Sequence, residues 1–478
     1  MLTGPMATTS LGYAAFVVAV AALCYLLPRR AQGVLLLLAS YLFCALWSKW
    51  FPPVLIAVTA LDFAVPYGYA RFPRRRRLLL VGGIATHLAI LVTLKYGAAT
   101  APVFWDWLGL APGPTLGLAV RLLLPVGLSF YTLQGIGYLV DTYQGQMEPA
   151  RDVVGFALFM AYFPKLLAGP IERPAAFLKH LDEERTVDNE RLMASLTLIL
   201  TGLARKLAIA NPLLAMSPQD VFLQPQDYTP TALATALIAF SFALYNDFAG
   251  YSNIAQGVSL FFGIELSRNF RRPMFAASFA AIWNRWHISL SHWLRDYVYF
   301  PTTRTLLRHR WGRSVVLGAF LPALLTMLVS GLWHGISLNM IVWGLAMGSL
   351  LGAERYFNLR FRRPGNQSRT SRWRWVTPVF VVAVVTLLLV FFRSPMAAVI
   401  PYWKGLIGWR PWQWEHWGVP LLVAVSLGLD AVQARHGEAT AFGSWPRLAR
   451  AGVIALTLLA VLLASRGSTE PPFIYQGF

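Results

Sequence analysis

Forty consecutive residues, 314–353, contain no Asp, Glu, Lys or Arg. As one straight helix they would reach about 60 Å at 1.5 Å per residue. That is twice the roughly 30 Å hydrocarbon core of a bilayer. The segment must therefore fold back on itself, and Ser330-Gly331-Leu332-Trp333-His334-Gly335 is the polar interruption where it can do so. The same signal recurs along the chain. Residues 11–28, 31–48, 122–140, 228–246 and 375–392 each give 18 or 19 uncharged positions, and 78–94 give 17. A membrane-spanning helix needs about 20 mostly apolar residues. The expectation is an all-α polytopic integral membrane protein with about eleven to thirteen transmembrane or re-entrant helices, some of them partial. Residues 1–10 carry no Lys or Arg and no A-x-A-like site follows 11–28, so that segment reads as a retained span.

Composition removes other classes. With 56% hydrophobic and 13% charged residues, the chain is far from the roughly 25% charge of soluble domains. Cys24 and Cys44 both lie in apolar runs and cannot build a metal cage or a disulfide framework. The net charge of +20 is concentrated in clusters between spans: Arg29-Arg30, Arg71 with Arg74 to Arg77, Arg268 with Arg271-Arg272, Arg304 to Arg313, and Arg355 to Arg374. Short basic loops stay on the cytoplasmic side, which places the N-terminus outside. The loop 213–228, with Asp220 and Asp227 and no base, suits the outer face. The charge thus reads as topology and contact with an anionic lipid bilayer, and nucleic acid is not an expected partner. The longest polar stretches are about 20 residues, 171–191 and 355–374, so the whole of 1–478 reads as one membrane-embedded domain. Within it, 1–120 are peripheral spans, 121–353 the core and 354–478 the C-terminal spans. Gly169-Pro170, Asn246-Asp247 and 268–273 interrupt apolar sequence. Irregular backbone at membrane depth needs cover from protein or a water-filled cavity, so a central cavity is expected between residues 125 and 345.

Among eight histidines, His180, His309, His416 and His436 sit in charged or loop-like surroundings, and His87 in an apolar span reads as a hydrogen-bonded core residue. His334 is different, because an ionisable group in the middle of an uncharged region marks a functional site by default. A packing histidine bound to a neighbouring carbonyl is the other reading. His287 lies in WNRWHISLSHWLRDY (283–297). Read as one helix, Trp286, Leu290, Trp293 and Tyr297 form an apolar stripe, with His287 beside it. An amphipathic helix at the membrane interface explains that stripe equally well. His287 and His292 lack the i, i+4 spacing of a zinc helix, so no metal is expected. The carboxylates near apolar sequence, Asp62, Asp106, Asp141, Glu172, Asp247, Glu265 and Asp296, are scattered and make no glycosidase pair. A neutral imidazole can take a proton from a hydroxyl that attacks a thioester carbonyl. On chemistry alone, acyl transfer and proton-coupled transport both remain open.

WNRWHISLSHWLRDYVYFP (283–301) followed by SGLWHG (330–335) resembles the core of the membrane-bound O-acyltransferase (MBOAT) family. More narrowly, the chain is similar to the bacterial branch holding the alginate O-acetyltransferase membrane subunit and the teichoic-acid D-alanyl transfer protein. LPVGLSFYTLQGIGYLVDTYQG (124–145), YFPKLLAGPIER (162–173), YNDFAGYSNIAQG (245–257), NFRRP (269–273), FFRS (391–394) and FIYQGF (473–478) resemble stretches of that branch in the same order.

The resemblance implies a ring of helices around a thinned centre, in the cytoplasmic (inner) membrane of a bacterium with the N-terminus periplasmic. His334 matches the family's catalytic histidine and His287 its second site histidine. No bound cofactor is implied; the co-substrate would be an acyl thioester, acetyl-CoA, arriving from the cytoplasm. The acceptor would be an exported polysaccharide or a serine of a periplasmic SGNH-like acetyltransferase partner. Asn284 and polar neighbours would steady the imidazole or the developing oxyanion, and Arg285 and Arg295 would meet donor phosphates, unless Arg295 pairs with Asp296. Trp286, Ser291, Trp333, Tyr251 and Asn246 complete the candidate lining, and Asp247 is a candidate partner for an arginine. The chain departs from the family pattern at Asn253, Ala249 and Thr302-Thr303, where an acid, a serine and a glycine pair are usual; the last bears on the donor entrance or a partner's docking surface. D-alanyl transfer from a carrier protein, a transporter or flippase, and a scaffold without chemistry are the competing readings.

Overall fold

The structure, a computed structural model, describes residues 7–96, 127–182, 188–309, 314–361, 376–408, 417–436 and a few positions between 452 and 459. Asp106, His416, the side chain of His436, the FIYQGF stretch and parts of two basic clusters (310–313 and 362–374) lie outside the described residues. The principal helices are α1 (Leu11–Leu26), α2 (Arg29–Trp47), α3 (Phe51–Arg71), α4 (Arg76–Leu91), α5 (Leu128–Tyr143), α6 (Val153–Ala161), α7 (Asn189–Leu203) and α8 (Pro230–Phe261). They continue with α9 (Ile288–Leu294), α10 (Val315–His334), α11 (Leu338–Phe361), α12 (Val376–Leu388), α13 (Met396–Leu406) and α14 (Gly418–His436). No strand occurs among the described residues. Seven helices are long and apolar enough to cross a membrane, and Leu11–Leu26, Ala31–Trp47 and Val153–Leu166 are shorter apolar helices. The protein is an all-α, multi-pass membrane protein.

The chain forms two compact units, Met1–Ile199 with Ser252–Ser267, and Leu200–Tyr251 with Arg268–Phe478. In the first unit, the histidine read as core is core: His87 Nε2 of α4 lies 2.7 Å from Asp62 Oδ1 of α3, both fully buried. Gly135 of α5 lies against this pair, and any side chain there would run into it. The YFPKLLAGPIER stretch turns inside the same unit. Lys165 bonds Gln134 Oε1, and Glu172 accepts from the backbone N–H and hydroxyl of Ser267 at 2.6 and 2.8 Å. His87, Asp62, Lys165 and Glu172 each have a partner in this apolar setting, which offsets the cost of burying them.

In the second unit, the uncharged 314–353 segment does fold back. α10 ends at His334 and α11 begins at Leu338, so the turn falls where the polar interruption put it. Ser314 caps α10 by accepting from Leu317 N at 3.3 Å. The two helices run antiparallel in close contact. Gly331 lies against Met340, Gly344 against Met327, Gly348 against Leu324 and Gly352 against Phe320. In a bilayer, small residues let helix backbones approach and gain the packing that lipid cannot supply. Both ends of the hairpin away from the turn are basic, with Arg304 and Arg308 before it and Arg355 and Arg360 within α11.

A side chain at Gly344 would meet the Met327 carbonyl, whereas one at Gly318 of the same hairpin meets nothing within 4 Å. Gly344→Leu is therefore expected to cost about 1–3 kcal/mol or more by overpacking, and Gly318→Leu little. Thermal unfolding of the two purified variants in the same detergent checks the difference.

Candidate active site

His334 sits at the last turn of α10 because the helix ends at Gly335, which is followed by the turn to α11. Its ring is nearly buried and packs in a triangle of rings. Its centroid lies 5.5 Å from Trp343 and 5.3 Å from Phe392, and those two lie 5.1 Å apart, all three edge to face. Trp343 reaches it because the tight hairpin brings α11 back alongside α10. Phe392 arrives with the FFRS stretch, whose carbonyls at Phe391 and Ser394 accept from Asn339 Nδ2 at 3.0 and 2.7 Å. A small cavity of about 50 Å³ opens beside His334, walled by Trp283, Trp286, Trp343, Met347, Leu389 and Phe392.

A larger cavity of about 430 Å³ lies next to it, lined by Asn284, Ser291, His292, Arg295, Tyr299, Thr326, Glu354 and Arg355 among others. Trp283 belongs to the lining of both cavities. The larger cavity is built on the half of the hairpin whose ends are basic, and the smaller one on the half that carries the turn.

The stretch 283–297 is not one helix. His287 takes φ 41°, ψ 55°, and α9 starts only after it. Positive φ is uncommon for a residue with a side chain, and among the described non-glycine residues only Arg272 shares it. The NFRRP stretch enforces the turn. Ile288 N donates to Asn269 O at 2.8 Å, Ser289 Oγ donates to Asn269 Oδ1 at 2.6 Å, and Arg271 N donates to Arg285 O at 2.9 Å. The apolar stripe expected from Trp286 is therefore broken: Leu290 and Trp293 remain buried on α9, while Trp286 turns to the small cavity.

His287 is fully buried outside the spanning helices, edge to face with Phe248 at 4.7 Å and with Trp333 at 5.9 Å. Burial lowers its imidazole to about 3, so it is neutral at ordinary pH and offers one donor and one acceptor nitrogen. Trp333 also contacts His334, with centroids 4.9 Å apart, and so its indole bridges the two histidines.

Of the other candidate residues, Asn284, Ser291 and Arg295 line the larger cavity. The Ser291 hydroxyl is bonded to Trp286 O at 3.0 Å, and Arg295 Nε to Asp296 Oδ1 at 2.9 Å. Arg285 donates to Phe275 O at 3.0 Å, and burial beside Arg271 and Arg272 lowers its affinity for a proton. Tyr251 is buried on α8. Asn246 belongs to a buried network: Arg205 donates to Asn246 Oδ1 at 2.9 Å, Asp430 Oδ1 at 2.5 Å and Gln433 Oε1 at 2.9 Å. Tyr245 donates to Asp430 at 2.8 Å and packs 6.1 Å from Trp286, a wall of the small cavity. Asp247 pairs with Lys206. The cavity expected within 125–345 extends further, since Met347 and Val382 to Phe392 form part of its walls. Trp343, Phe392, Met347, Glu354 and Arg355 were not legible as site residues. The fold-back of 314–353 is the one signal that points to Trp343.

The family model of the membrane-bound O-acyltransferases matches residues 151–396, just over half of the chain and every residue that lines either cavity. The chain belongs to the MBOAT family. It is 31% identical to the probable alginate O-acetylase AlgI of Pseudomonas putida, over 95% of this chain and 96% of that protein. It is 28% identical to the peptidoglycan O-acetyltransferase of Helicobacter pylori, over 78% of this chain and 73% of the relative. With the teichoic acid D-alanyltransferase of Bacillus subtilis it shares 26% identity over 54% and 65%. This MBOAT protein is thus a membrane O-acyltransferase with homologues of alginate O-acetylases.

Removing Asp430 strands the buried Arg205 charge without its carboxylate. Breaking one partner of such a pair costs about 3–5 kcal/mol. Asp430→Ala is expected to lower the unfolding midpoint strongly in a thermal melt, with Asp430→Asn, which keeps an acceptor oxygen, falling between it and the unaltered protein.

Proposed function

We propose that this MBOAT protein moves an acetyl group from a cytoplasmic thioester, acetyl-CoA, to a hydroxyl of an exported cell-surface polysaccharide, directly or through a serine of a periplasmic SGNH-like partner. The observation that carries this reading is the shared Trp283 wall, which sets a roomy cavity bearing Arg295, Glu354 and Arg355 against a small aromatic chamber holding His334. The larger cavity, with Arg295 and Arg355 in its lining, takes the donor's polar arm. Its basic flank is the cytoplasmic side by the distribution of arginine. The acceptor reaches His334 from the side of the hairpin turn.

In the reaction, the acceptor oxygen bonds to the acyl carbonyl carbon while its proton passes to the His334 ring. The carbonyl π electrons move onto oxygen, giving a tetrahedral oxyanion. Collapse restores the carbonyl, breaks the carbon–sulfur bond and returns the proton to the leaving thiolate. His287, neutral and joined to His334 through Trp333, holds the imidazole in place.

Chamber size and walls support acetyl over larger groups. A cavity of about 50 Å³ has room for about three to five water-sized groups, and acetyl has three heavy atoms. No carboxylate lines it among the described residues, so the ammonium of a D-alanyl group would lose its hydration without an anionic partner.

The test uses protein in nanodiscs with labelled acetyl-CoA or an acyl carrier thioester, and polymer with or without an SGNH partner. Transfer from acetyl-CoA supports the reading; transfer only from the carrier, or substrate movement without acylation, overturns it. His334→Ala is expected to lose about 10²–10⁴-fold in rate while still folding. Met347→Ala widens the chamber and is expected to raise the rate with butyryl-CoA relative to acetyl-CoA; an unchanged ratio in competition assays would remove Met347 as a limit on chain length.

A further inference from the structure

We propose that the indole N–H groups of Trp343 and Trp283 form the oxyanion pocket of the acyl transfer. The inference rests on the acetyl-transfer reading above and goes beyond it by naming the groups that stabilise the charged intermediate.

Buried donors in proteins nearly always have an acceptor, and each exception calls for a reason. Both indole nitrogens are shielded from solvent, and neither has a hydrogen-bond partner. An indole N–H can only donate, so what each lacks is an acceptor. Both residues wall the small chamber into which His334 also faces. Trp343 packs edge to face on the His334 ring, and the Trp283 ring lies 6.2 Å from Trp343 at 71°. Two orphaned donors and one imidazole therefore border a space with room for a three-atom acyl group.

That arrangement matches the charge that develops. When the hydroxyl attacks, negative charge appears on the carbonyl oxygen, and preorganised donors in a site without water stabilise it with no cost of reorientation. The ground-state carbonyl is a weaker acceptor, so the gain is larger in the transition state. Trp403 Nε1 is satisfied by Leu387 O at 3.2 Å; Trp47 Nε1 is orphaned too, but its ring packs on Phe43 and lines neither cavity, so it borders no space for an acyl group. Ser330 also has an orphaned hydroxyl, but it does not belong to the chamber walls.

The experiment replaces each indole by a ring without the donor. Trp343→Phe and Trp283→Phe are assayed in nanodiscs with labelled acetyl-CoA, beside the unaltered protein and Trp403→Phe. Loss of one oxyanion donor costs about 10²–10³-fold in kcat, so a fall of that order with KM within about twofold is expected for both, and near-normal turnover for Trp403→Phe. In a His334→Ala background, where the donor is not consumed, the infrared carbonyl band of ¹³C-acetyl-CoA should move to higher frequency when either indole is replaced. Unchanged kcat with an unchanged band in variants that melt normally overturns the proposal, as does a rise in KM alone. If one variant fails to fold, the other decides. An unaltered protein without acetyl transfer would instead sink the acetyl-transfer reading, while the infrared shift would still report whether the indoles bind a carbonyl.

Discussion

The close approach of α10 and α11 is the constraint on which the site depends. Lipid tails are as apolar as leucine, so helices in a bilayer gain little by hiding apolar side chains from their surroundings, and contact between backbones has to supply the attraction. Gly331, Gly344, Gly348 and Gly352 make that contact possible along the hairpin. The tightness fixes the register between the helices, and the register sets Trp343 against His334 rather than against lipid. It also leaves Met327 and Thr326 on one helix facing Glu354 and Arg355 on the other, across the larger cavity. One packing solution thus builds part of both chambers.

A second rule sorts the buried polar groups of this protein into two kinds. Those bonded to one another hold the scaffold: His87 on Asp62, Glu172 on Ser267, Arg205 among Asn246, Asp430 and Gln433. The Arg205 network also bears on the site, because Asp430 anchors Tyr245 and Tyr245 packs on Trp286. The groups left without an acceptor include two indoles beside His334. In an apolar interior an unpaired donor is expensive, and the proposed oxyanion role gives the two chamber indoles an acceptor.

The class of fold was legible in the sequence because a bilayer imposes it directly: uncharged runs of fixed length are needed to cross, and basic clusters are needed to stay behind. The fold-back at 330–335 was legible for the same reason, since forty uncharged residues exceed the thickness available. His334 stood out as an ionisable group with no local explanation, and the ordered motifs pointed to the family. What surrounds it was hidden. Trp343, Met347 and Phe392 look like ordinary apolar residues of apolar helices, and only the tertiary register makes them walls. The stretch from Trp283 to Tyr297 misled in a specific way. A helical stripe is a statement about side-chain period, and it cannot register that Asn269, fourteen residues upstream of Trp283, captures the backbone at Ile288 and turns His287 into a left-handed break. Asn246 and Asp247, polar residues in an apolar helix, drew attention for the right physical reason, yet their partners Arg205 and Lys206 lie on a separate segment.

The aromatic walls do more than limit size. A thioester is activated toward any hydroxyl, water included, so an acyltransferase has to keep water from the carbonyl while admitting one chosen oxygen. A chamber of about 50 Å³ bounded by Trp283, Trp286, Trp343 and Phe392 leaves little room for water once an acyl group is inside. Excluding water also strengthens any hydrogen bond to the oxyanion, because the local dielectric falls. In the proposed transfer, narrow acyl choice, protection from hydrolysis and strong charge stabilisation follow from the same rings. Widening the chamber for a longer acyl group would weaken all three together, so on the proposed mechanism the aromatic cluster around His334 sets both what is transferred and how seldom the transfer is wasted.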